Sequence, residues 1–336
     1  MSHHHTIIIA EAGVNHNGSL ETAIQLVHKA AEAGVDYVKF QTFKAENLVS
    51  ASAPKARYQQ ENCGEEGNQL SMLKALELSD QDFRALANEC RRCGVGFMST
   101  PFDMDSIDFL SRLDMDYWKI PSGEITNLPY LRRIAGMGQP VILSTGMSTL
   151  SEVIDAVNAL NDSGLPSEKI YLLHCTTQYP TPPGSVNLRA METLRQVGCA
   201  GVGYSDHTQG ITVPIAAVAM GAQIIEKHFT LDRSMPGPDH KASLIPEELA
   251  EMVKAIRDVE QAIGSPEKHA TDIERPNMAI ARKSIVASRH IAKGELLTAD
   301  NITTKRPGDG LSPMMWDSVI GTTAISDFDR DEQIRL

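Results

Sequence analysis

The chain is 336 residues long, 42% of them hydrophobic and 22% charged, and its formal net charge at pH 7 is −12. This length allows one large domain or two unequal ones with a sizeable core. The negative charge argues against a nucleic-acid partner, because binding to a phosphate backbone depends on basic patches that release counterions, so binding a small anion would require cations gathered in one local pocket.

From residue 6 to about 264 the chain alternates short β-rich runs with helical patterns. The predicted strands are TIIIAEAG, DYVKFQTF, VGFMSTPF, DYWKIPSGE, PVILSTGM, IYLLHCTT, AGVGYSDH and QIIEKHFT. Eight strand–helix units of this size predict a (β/α)₈ TIM barrel over residues 1–264. A doubly wound open sheet is the alternative, but the chain lacks the GxGxxG fingerprint that accompanies many such sheets.

Three further segments complete the predicted organisation. A long insertion, residues 44–78, follows the second strand on the side where active-site loops belong. Residues 265–281 are polar and contain two prolines, which is typical of a linker. Residues 282–336 change to short strand-like pieces and turns, which predicts a small β-rich domain. A domain of that size buries little core by itself, so we expect it to pack on a barrel, its own or a partner's.

Nothing in the sequence predicts a membrane segment or a secretory leader. The longest apolar candidate, VPIAAVAMGAQII from Val213, is shorter than the roughly 20 residues that a membrane-spanning helix needs. The start MSHHHTIII lacks the basic region and cleavage pattern of a signal peptide. No function is assigned to its histidines, His3, His4 and His5.

The cysteines are odd in number and scattered along the chain: Cys63, Cys90, Cys93, Cys175 and Cys199. A disulfide framework is therefore not expected, and a reducing cytoplasm is the predicted location. Cys90 and Cys93 form a CxxC pair in a helical pattern, but no second cysteine or histidine pair accompanies them. The pair is little evidence for a structural zinc site.

The carboxyl ends of the predicted strands are unusually polar, and catalytic groups of a TIM barrel gather there. The polar residues at these ends are Glu11, Lys39, Gln41, Thr100, Lys119, Ser122, Glu124, Ser144, Thr177, Tyr179, Ser205, His207 and His228. Taken singly, each has a structural explanation. Serine and threonine often cap turns, Lys119 could extend along the surface, and Glu226 could pair with a buried lysine.

Taken together, two lysines and the surrounding hydroxyls predict an anion site. Lys39 and Lys119 lie inside predicted strands, among serines and threonines at neighbouring strand ends. A buried lysine without an anionic partner is costly, and lysines with hydroxyl groups make a pocket for a phosphate or a carboxylate. This is the local cationic pocket that an acidic protein needs to bind an anion.

Two histidines, His207 and His228, end the neighbouring strands 7 and 8. Adjacent strands lie about 4.8 Å apart, so two inward imidazoles can reach one ion. Two histidines with otherwise oxygen ligands suit a divalent cation such as Mn²⁺ with open positions, rather than a closed structural zinc. The alternative is a pair of ordinary hydrogen-bonded barrel histidines.

The motifs, in their order along the chain, resemble those of the N-acetylneuraminate (sialic acid) synthase family. They are AEAGVNHNG, VKFQTF, STPFD, KIPSGE, STGM, HCTTQYPTP, GYSDHTQG, EKHFTLDRSMPGPDH and TTKRPGDG. The resemblance covers nearly the whole chain, and its late KRPG segment is similar to the family's C-terminal antifreeze-like (SAF) domain. It implies an enzyme that condenses phosphoenolpyruvate with an open-chain N-acetylmannosamine-type sugar, uses a divalent metal (Mn²⁺, with Mg²⁺ or Co²⁺ as alternatives) and releases phosphate.

Carried over by position, the resemblance implies a role for each site residue. It implies metal binding by His207 and His228, and a water positioned or deprotonated by Glu11. Phosphoenolpyruvate would contact Lys39, Thr100, Lys119, Ser122, Ser144, Thr177 and Ser205. The sugar would contact Gln41, Glu124, Tyr179, Asp239 and Arg306. Arg306 would reach into the barrel of a second subunit, which implies a domain-swapped homodimer. Some members have Asn where this chain has Thr177, whose shorter hydroxyl would hold the phosphate less well.

The implied mechanism begins with the metal acting as a Lewis acid on the sugar aldehyde. The enol carbon of phosphoenolpyruvate attacks the aldehyde carbon, and water guided by Glu11 captures the resulting cationic centre. The tetrahedral intermediate then loses phosphate, while the lysines and hydroxyls hold the phosphate group throughout.

The prediction that follows is an N-acetylneuraminate synthase, with two alternatives. A sister synthase would make legionaminic or pseudaminic acid from a 6-deoxy diacetamido hexose, and the 44–78 insertion, Tyr179 and Asp239 would then discriminate between acceptors. A non-catalytic carbohydrate-binding protein is the alternative from another class. It is disfavoured because binding a sugar needs neither the histidine pair nor the lysine pocket.

Overall fold

The structure, a computed structural model, describes residues 5–56, 59–60, 62 and 67–336. His3, His4 and Cys63, which were named above, lie outside the described residues. The chain divides into two compact units, Met1–Gly264 and Ser265–Leu336. Among the described helices, none combines the length and the apolar character that crossing a membrane requires.

Eight parallel strands form the first unit. They are β1 Ile7–Gly13, β2 Tyr37–Thr42, β3 Gly96–Pro101, β4 Trp118–Ile120, β5 Val141–Ser144, β6 Ile170–Cys175, β7 Gly201–Asp206 and β8 Ile224–His228. Strand β1 pairs with both β2 and β8, and the order runs β3-β2-β1-β8-β7-β6-β5-β4. The end strands β3 and β4 lie beside each other. This nearly closed ring confirms the predicted TIM barrel and excludes the open doubly wound sheet.

Helices follow the strands, as the helical patterns predict. They are α1 Leu20–Ala33, α2 Ala45–Leu48, α3 Gln69–Leu76, α4 Asp80–Cys93, α5 Met104–Leu110, α6 Leu128–Ala135, α7 Leu150–Asp162, α8 Ala190–Arg195, α9 Thr212–Ala219 and α10 Pro246–Ile263. Local sequence sets several of their ends. Ser79 and Asp82 form a capping box at α4, and Gly34 ends α1 at φ 80°, a conformation that glycine adopts without strain.

The alternation of side chains along the strands produces two layers inside the barrel. At the amino end of the strands, an apolar layer of five residues fills the interior: Ile9, Met98, Ile142, Leu173 and Ile224. Two residues further along β1 and β8 come Glu11 and Glu226, which are polar and also buried. The apolar layer therefore closes the barrel below, and the polar layer above it forms the floor of a cavity.

The second unit has its own small core. Its antiparallel strands β9 Ser284–Ala287 and β10 Ile302–Lys305 pair in register. Residues packed around them include Ile291, Leu297 and Phe328. This arrangement confirms a small β-rich second domain. Two short helices, α11 Arg275–Ala281 and α12 Trp316–Val319, belong to the same unit, so the segment predicted as a linker contains a helix.

Candidate active site at the carboxyl end of the barrel

A cavity of about 320 Å³ opens at the carboxyl ends of the barrel strands. All the predicted site residues line it except Glu124 and Arg306. They are Glu11, Lys39, Gln41, Thr100, Lys119, Ser122, Ser144, Thr177, Tyr179, Ser205, His207, His228 and Asp239. The parallel register explains the convergence, because residues at the same height on successive strands face one central space.

Two lysines and two glutamates make up the floor of the cavity. Lys39 forms an ion pair with Glu11. Glu226 lies between the lysines, with its Oε2 3.7 Å from Lys39 Nζ and its Oε1 3.5 Å from Lys119 Nζ. All four side chains are at most 6% exposed, so Lys119 is not a surface lysine. The two positive and two negative charges balance each other on the floor.

Mutual contacts oppose the effect of burial on the charges of the floor, and they prevail for Glu226 and Lys39. Burial raises the pKa of Glu226, but Lys119 and Lys39 outweigh burial and lower it to about 2. Burial lowers the pKa of Lys39, but the carboxylates of Glu11 and Glu226 outweigh it and raise that pKa. For Lys119, burial dominates and the pKa is lowered. Lys119 is therefore the cation that gains most from an additional anion in the cavity.

Hydroxyl groups surround the lysines, as predicted. Lys39 Nζ donates to Thr100 Oγ1 at 3.0 Å, and Lys119 Nζ donates to Ser144 Oγ at 2.7 Å. Ser205 Oγ donates to Glu226 Oε1 at 2.9 Å. The result is a cluster of ammonium and hydroxyl donors at the bottom of the cavity, which suits phosphate or carboxylate oxygens.

The two histidines lie side by side next to this floor. The ring centres of His207 and His228 are 5.3 Å apart. His207 Nδ1 lies 2.6 Å from the carbonyl oxygen of Thr176, which can only accept, so Nδ1 carries the proton and Nε2 keeps its lone pair. Burial lowers the pKa of His207 to about 4 and that of His228 well below its usual value, so both rings are neutral at pH 7.

The histidine pair fits a divalent ion. Metal–imidazole bonds are about 2.1 Å long, and rings 5.3 Å apart are close enough to share one ion. His228 Nδ1 is buried and, in the part of the chain that the structure describes, has no hydrogen-bond partner. Within the same residues, no third His, Cys, Asp or Glu forms a compact ligand group with this pair. An ion held here would keep open positions for a substrate.

Three other predicted residues stand around the histidines and Glu11. The ring of Tyr179 lies 4.0 Å from that of His207, centre to centre. Gln41 Nε2 donates to Glu11 Oε1 at 3.0 Å. Burial and the nearby Glu11 raise the pKa of Asp239 to about 7. Asp239 can therefore donate as well as accept a hydrogen bond near neutral pH.

Gly13 leaves the space in which the side chains of Glu11 and Gln41 meet. Gly13 has φ 54°, and a side chain there would lie 3.2 Å from Glu11 Oε1 and 3.3 Å from Gln41 Nε2. The register of β1 against β2 also shifts between Glu11 and Gly13. A residue without a side chain is thus needed at this point for the carboxylate and the amide to meet.

Two predicted residues do not line the cavity. Glu124 lies in the turn after β4, where its Oε2 accepts from Asn127 Nδ2 at 2.6 Å. Arg306 belongs to the second unit, where its Nε donates to the carbonyl oxygen of Ala281 at 2.9 Å and its side chain is exposed. Their roles toward a sugar stay predictions.

The sequence offered Glu226 as a buried ion-pair partner of a lysine, and the structure confirms this with contacts to both Lys39 and Lys119. An apolar part of the site was not predicted. The cavity is also lined by apolar residues that the site prediction omitted, Val14, Phe43, Leu48, Met72 and Leu73 among them. The helical spacing of QLSMLKAL in the insertion is the signal that could have revealed some of them.

A second group of potential metal ligands lies away from the cavity, on α1 and α4. It comprises His28, Glu89 and Cys93. Arg92 donates to Glu89 Oε2 at 2.9 Å and approaches His28 Nε2 to 3.3 Å, so a guanidinium cation already neutralises the carboxylate. Cys90 points into the core, and burial raises the pKa of its thiol to about 12. This arrangement favours an ion pair over a zinc site.

Comparison with known proteins gives matches over both units. The sequence profile of the NeuB family matches residues 26–268, and that of the SAF domain matches residues 282–336. The N,N'-diacetyllegionaminic acid synthase of Campylobacter jejuni is 49% identical over 98% of this chain and 99% of its own length. A protein of the same name from Legionella pneumophila is 50% identical over 94% of this chain and 89% of its own length.

Among solved structures, N-acetylneuraminic acid (sialic acid) synthetase from Leptospira borgpetersenii is similar at a TM-score of 0.72. The two chains are 33% identical, and the match covers 82% of this chain and 91% of that one.

Proposed function

The chain belongs to the NeuB family, and we propose that it condenses phosphoenolpyruvate with an open-chain 6-deoxy diacetamido hexose to give N,N'-diacetyllegionaminic acid and phosphate. The observation that carries this choice is the identity of 49% and 50% to two proteins named as N,N'-diacetyllegionaminic acid synthases, against 33% to a sialic acid synthetase. The acceptor predicted from sequence is N-acetylmannosamine. The acceptor proposed here is the 6-deoxy diacetamido hexose, which the sequence left as an alternative.

Phosphoenolpyruvate fits the floor of the cavity. Its phosphate and carboxylate groups need several donors, and Lys39, Lys119, Thr100, Ser144 and Ser205 present them within one buried space. Glu226 keeps the lysines compensated while no substrate is bound. The hydroxyl and ammonium groups then hold the leaving phosphate at a fixed position, which is mainly positioning and charge stabilisation.

His207 and His228 are the residues that would hold a divalent ion. The floor carries balanced charges, so the charge of an anionic substrate is not compensated by the lysines alone. Mn²⁺ is the proposed ion, with Mg²⁺ and Co²⁺ as alternatives. When bound, such an ion supplies Lewis acidity to a carbonyl oxygen of the acceptor.

The remaining residues guide the reacting atoms. The new C–C bond joins the enol carbon of phosphoenolpyruvate to the aldehyde carbon of the sugar, whose C=O double bond opens and whose oxygen takes up a proton to become a hydroxyl. The oxygen of a water molecule then adds to C2 of the former phosphoenolpyruvate. Glu11 accepts the proton of that water, since burial raises its pKa and makes it a better base than an exposed carboxylate. The hemiketal phosphate then collapses and phosphate leaves with its oxygen. Asp239 hydrogen-bonds a hydroxyl group of the sugar.

The second unit supports a proposal about assembly. Arg306 is exposed, and its hydrogen bond to the carbonyl oxygen of Ala281 is made through Nε, so its terminal nitrogens can serve a ligand. We retain the domain-swapped homodimer, in which Arg306 of one subunit contacts the acceptor in the barrel of the other.

An acceptor panel tests the proposed reaction. The protein is incubated with phosphoenolpyruvate, Mn²⁺ and either the 6-deoxy diacetamido hexose or N-acetylmannosamine, and released phosphate and product mass are measured. We expect kcat/KM for the diacetamido sugar to be higher by about tenfold or more, a difference typical of small apolar groups in a pocket. A preference for N-acetylmannosamine would instead support the N-acetylneuraminate synthase predicted from sequence. Sugar binding without turnover of any acceptor would instead indicate a non-catalytic carbohydrate-binding protein.

A further inference from the structure

One side of the cavity is built from aliphatic and aromatic side chains. We call Val14, Phe43, Leu48, Met72 and Leu73 the apolar wall. All five line the cavity, and all pack in one hydrophobic cluster. Leu48 and the α3 residues Met72 and Leu73 come from the insertion after β2. Three of the five wall residues thus come from the 44–78 segment, which the sequence suggests as a place of acceptor choice, while Val14 and Phe43 follow the ends of β1 and β2.

The apolar wall stands at the outer end of the cavity, away from the floor. Lys39 pairs in register with Glu11, and Glu11 with His228, so these three residues stand at one height on their strands. Two residues of strand advance about 6.6 Å, so Gln41 stands above Lys39, and Phe43 follows just beyond the end of β2. Going outward along β2, the groups that line the cavity are the ammonium of Lys39, the amide of Gln41 and then the phenyl ring of Phe43.

An extended hexose would span this gradient. Its reacting aldehyde, C1, belongs beside the histidines, where phosphoenolpyruvate meets it on the floor. Its far end, C6, then points outward. In a 6-deoxy sugar that end is a methyl group, and in an ordinary hexose it carries a hydroxyl that would lose water without gaining a partner from Leu48, Met72 or Leu73. Two amide side chains, Gln59 and Gln69, also line the cavity, but Gln59 Oε1 already accepts a hydrogen bond from the backbone N–H of Ala56 at 2.9 Å.

We propose that the apolar wall contacts the C6 methyl group of the acceptor and selects 6-deoxy sugars over their 6-hydroxy counterparts. The inference rests on the proposed function, because it assumes that a diacetamido hexose is the acceptor. It goes further by assigning the distinction between a C6 methyl group and a C6 hydroxyl group to the apolar wall. The acetamido groups play no part in it.

The test uses two acceptors that differ only at C6: the 6-deoxy diacetamido hexose and the same diacetamido hexose with a C6 hydroxyl. The readout is the ratio of their kcat/KM values with phosphoenolpyruvate and Mn²⁺. For the wild-type protein we expect the ratio to favour the 6-deoxy sugar by about 10- to 100-fold, the range for a hydroxyl set against an apolar pocket. Met72→Gln should lower the ratio about tenfold by offering the hydroxyl a partner.

Leu70→Gln is the matched control. Leu70 lies on the same helix, is also half-buried and packs against the same cluster, but it does not line the cavity. It should leave the ratio unchanged, and Met72→Leu should preserve it as the conservative variant. Because each value is a ratio within one variant, partial loss of folded protein cancels.

The outcomes separate the two proposals. Turnover of both diacetamido sugars with a ratio near one overturns the role of the apolar wall and leaves the proposed function standing. A high wild-type ratio that Met72→Gln and Leu70→Gln reduce equally also overturns it. If neither diacetamido sugar reacts while N-acetylmannosamine does, the proposed function fails and the inference fails with it.

Discussion

Removing the charge of Glu226 tests the electrostatic design of the floor. This carboxylate faces both buried lysines, at 3.7 Å from Lys39 Nζ and 3.5 Å from Lys119 Nζ. Glu226→Gln keeps the shape of the side chain and removes the anion. Lys39 then retains Glu11 as a partner, whereas Lys119 loses the carboxylate that forms an ion pair with it.

The cost follows from the burial of Lys119, which is 3% exposed. Breaking a buried ion pair on one side costs about 3–5 kcal/mol, because the remaining charge stays desolvated. For a chain of 336 residues, whose unfolding entropy is about 0.7 kcal/mol/K, that loss corresponds to a fall in melting temperature of roughly 4–7 °C. Phosphoenolpyruvate should restore part of the lost stability, since its negative charge takes the place of the lost carboxylate beside Lys119.

The assay is thermal unfolding of wild-type and Glu226→Gln protein, each with and without saturating phosphoenolpyruvate. Glu32→Gln is the control: it breaks an exposed 2.7 Å pair with Lys29, and such pairs are worth about 0–1 kcal/mol. We expect a large deficit for Glu226→Gln that shrinks with ligand, and little change for Glu32→Gln. Equal melting of Glu226→Gln and wild-type protein, or a deficit that phosphoenolpyruvate leaves untouched, would refute the compensation of the lysines by Glu226.

Three other predictions concern the metal, the acid–base state of the cavity and the assembly. His207→Ala or His228→Ala should abolish turnover and Mn²⁺ binding, measured by titration calorimetry, while the circular dichroism spectrum stays unchanged; activity that survives both changes and a chelator contradicts the metal site. Folding raises the pKa of Asp239 from 3.8 to about 7. Its carboxyl therefore lowers the free energy of unfolding as the pH increases from 4 to 7. Asp239→Asn should therefore unfold at a higher temperature than wild type at pH 8 and lose this advantage by pH 4; a constant difference argues against the titration. Arg306→Ala subunits mixed with subunits made inactive in the barrel should regain activity if the domain is swapped, and an inactive mixture would place Arg306 at its own barrel.

Much of the site could be predicted because, in a barrel of parallel strands, the position of a residue along its strand sets its level along the barrel axis. Lys39 and Gln41 share a face through the period of two, and the parallel pairing Glu11↔Lys39 and Glu11↔His228 puts distant residues at one level. The fold needed only the count of strand–helix units, since eight of them close on themselves. The profile match to the NeuB family and the SAF domain confirms the resemblance carried by the motifs.

Contacts between side chains from non-adjacent strands could not be predicted in the same way. Which carboxylate compensates Lys119 depends on the width of the barrel and on the rotamers of both residues. The strand next to Lys119 in the ladder offers Ser144, while the anion comes from Glu226 on β8. Glu124 lies in a turn and accepts from Asn127, and the sugar contact that the resemblance implies for it stays a prediction.

By itself the sequence determined the eightfold alternation, the lysines and histidines at strand ends, and the family. These are properties of local period and of residue type at a given height, and short-range chemistry is enough to specify them. Only the tertiary structure decided that Glu226 balances both lysines, and that the insertion after β2 turns Leu48, Met72 and Leu73 toward the cavity. Those facts depend on how segments far apart in the chain fill one volume, where packing and desolvation act on all neighbours together.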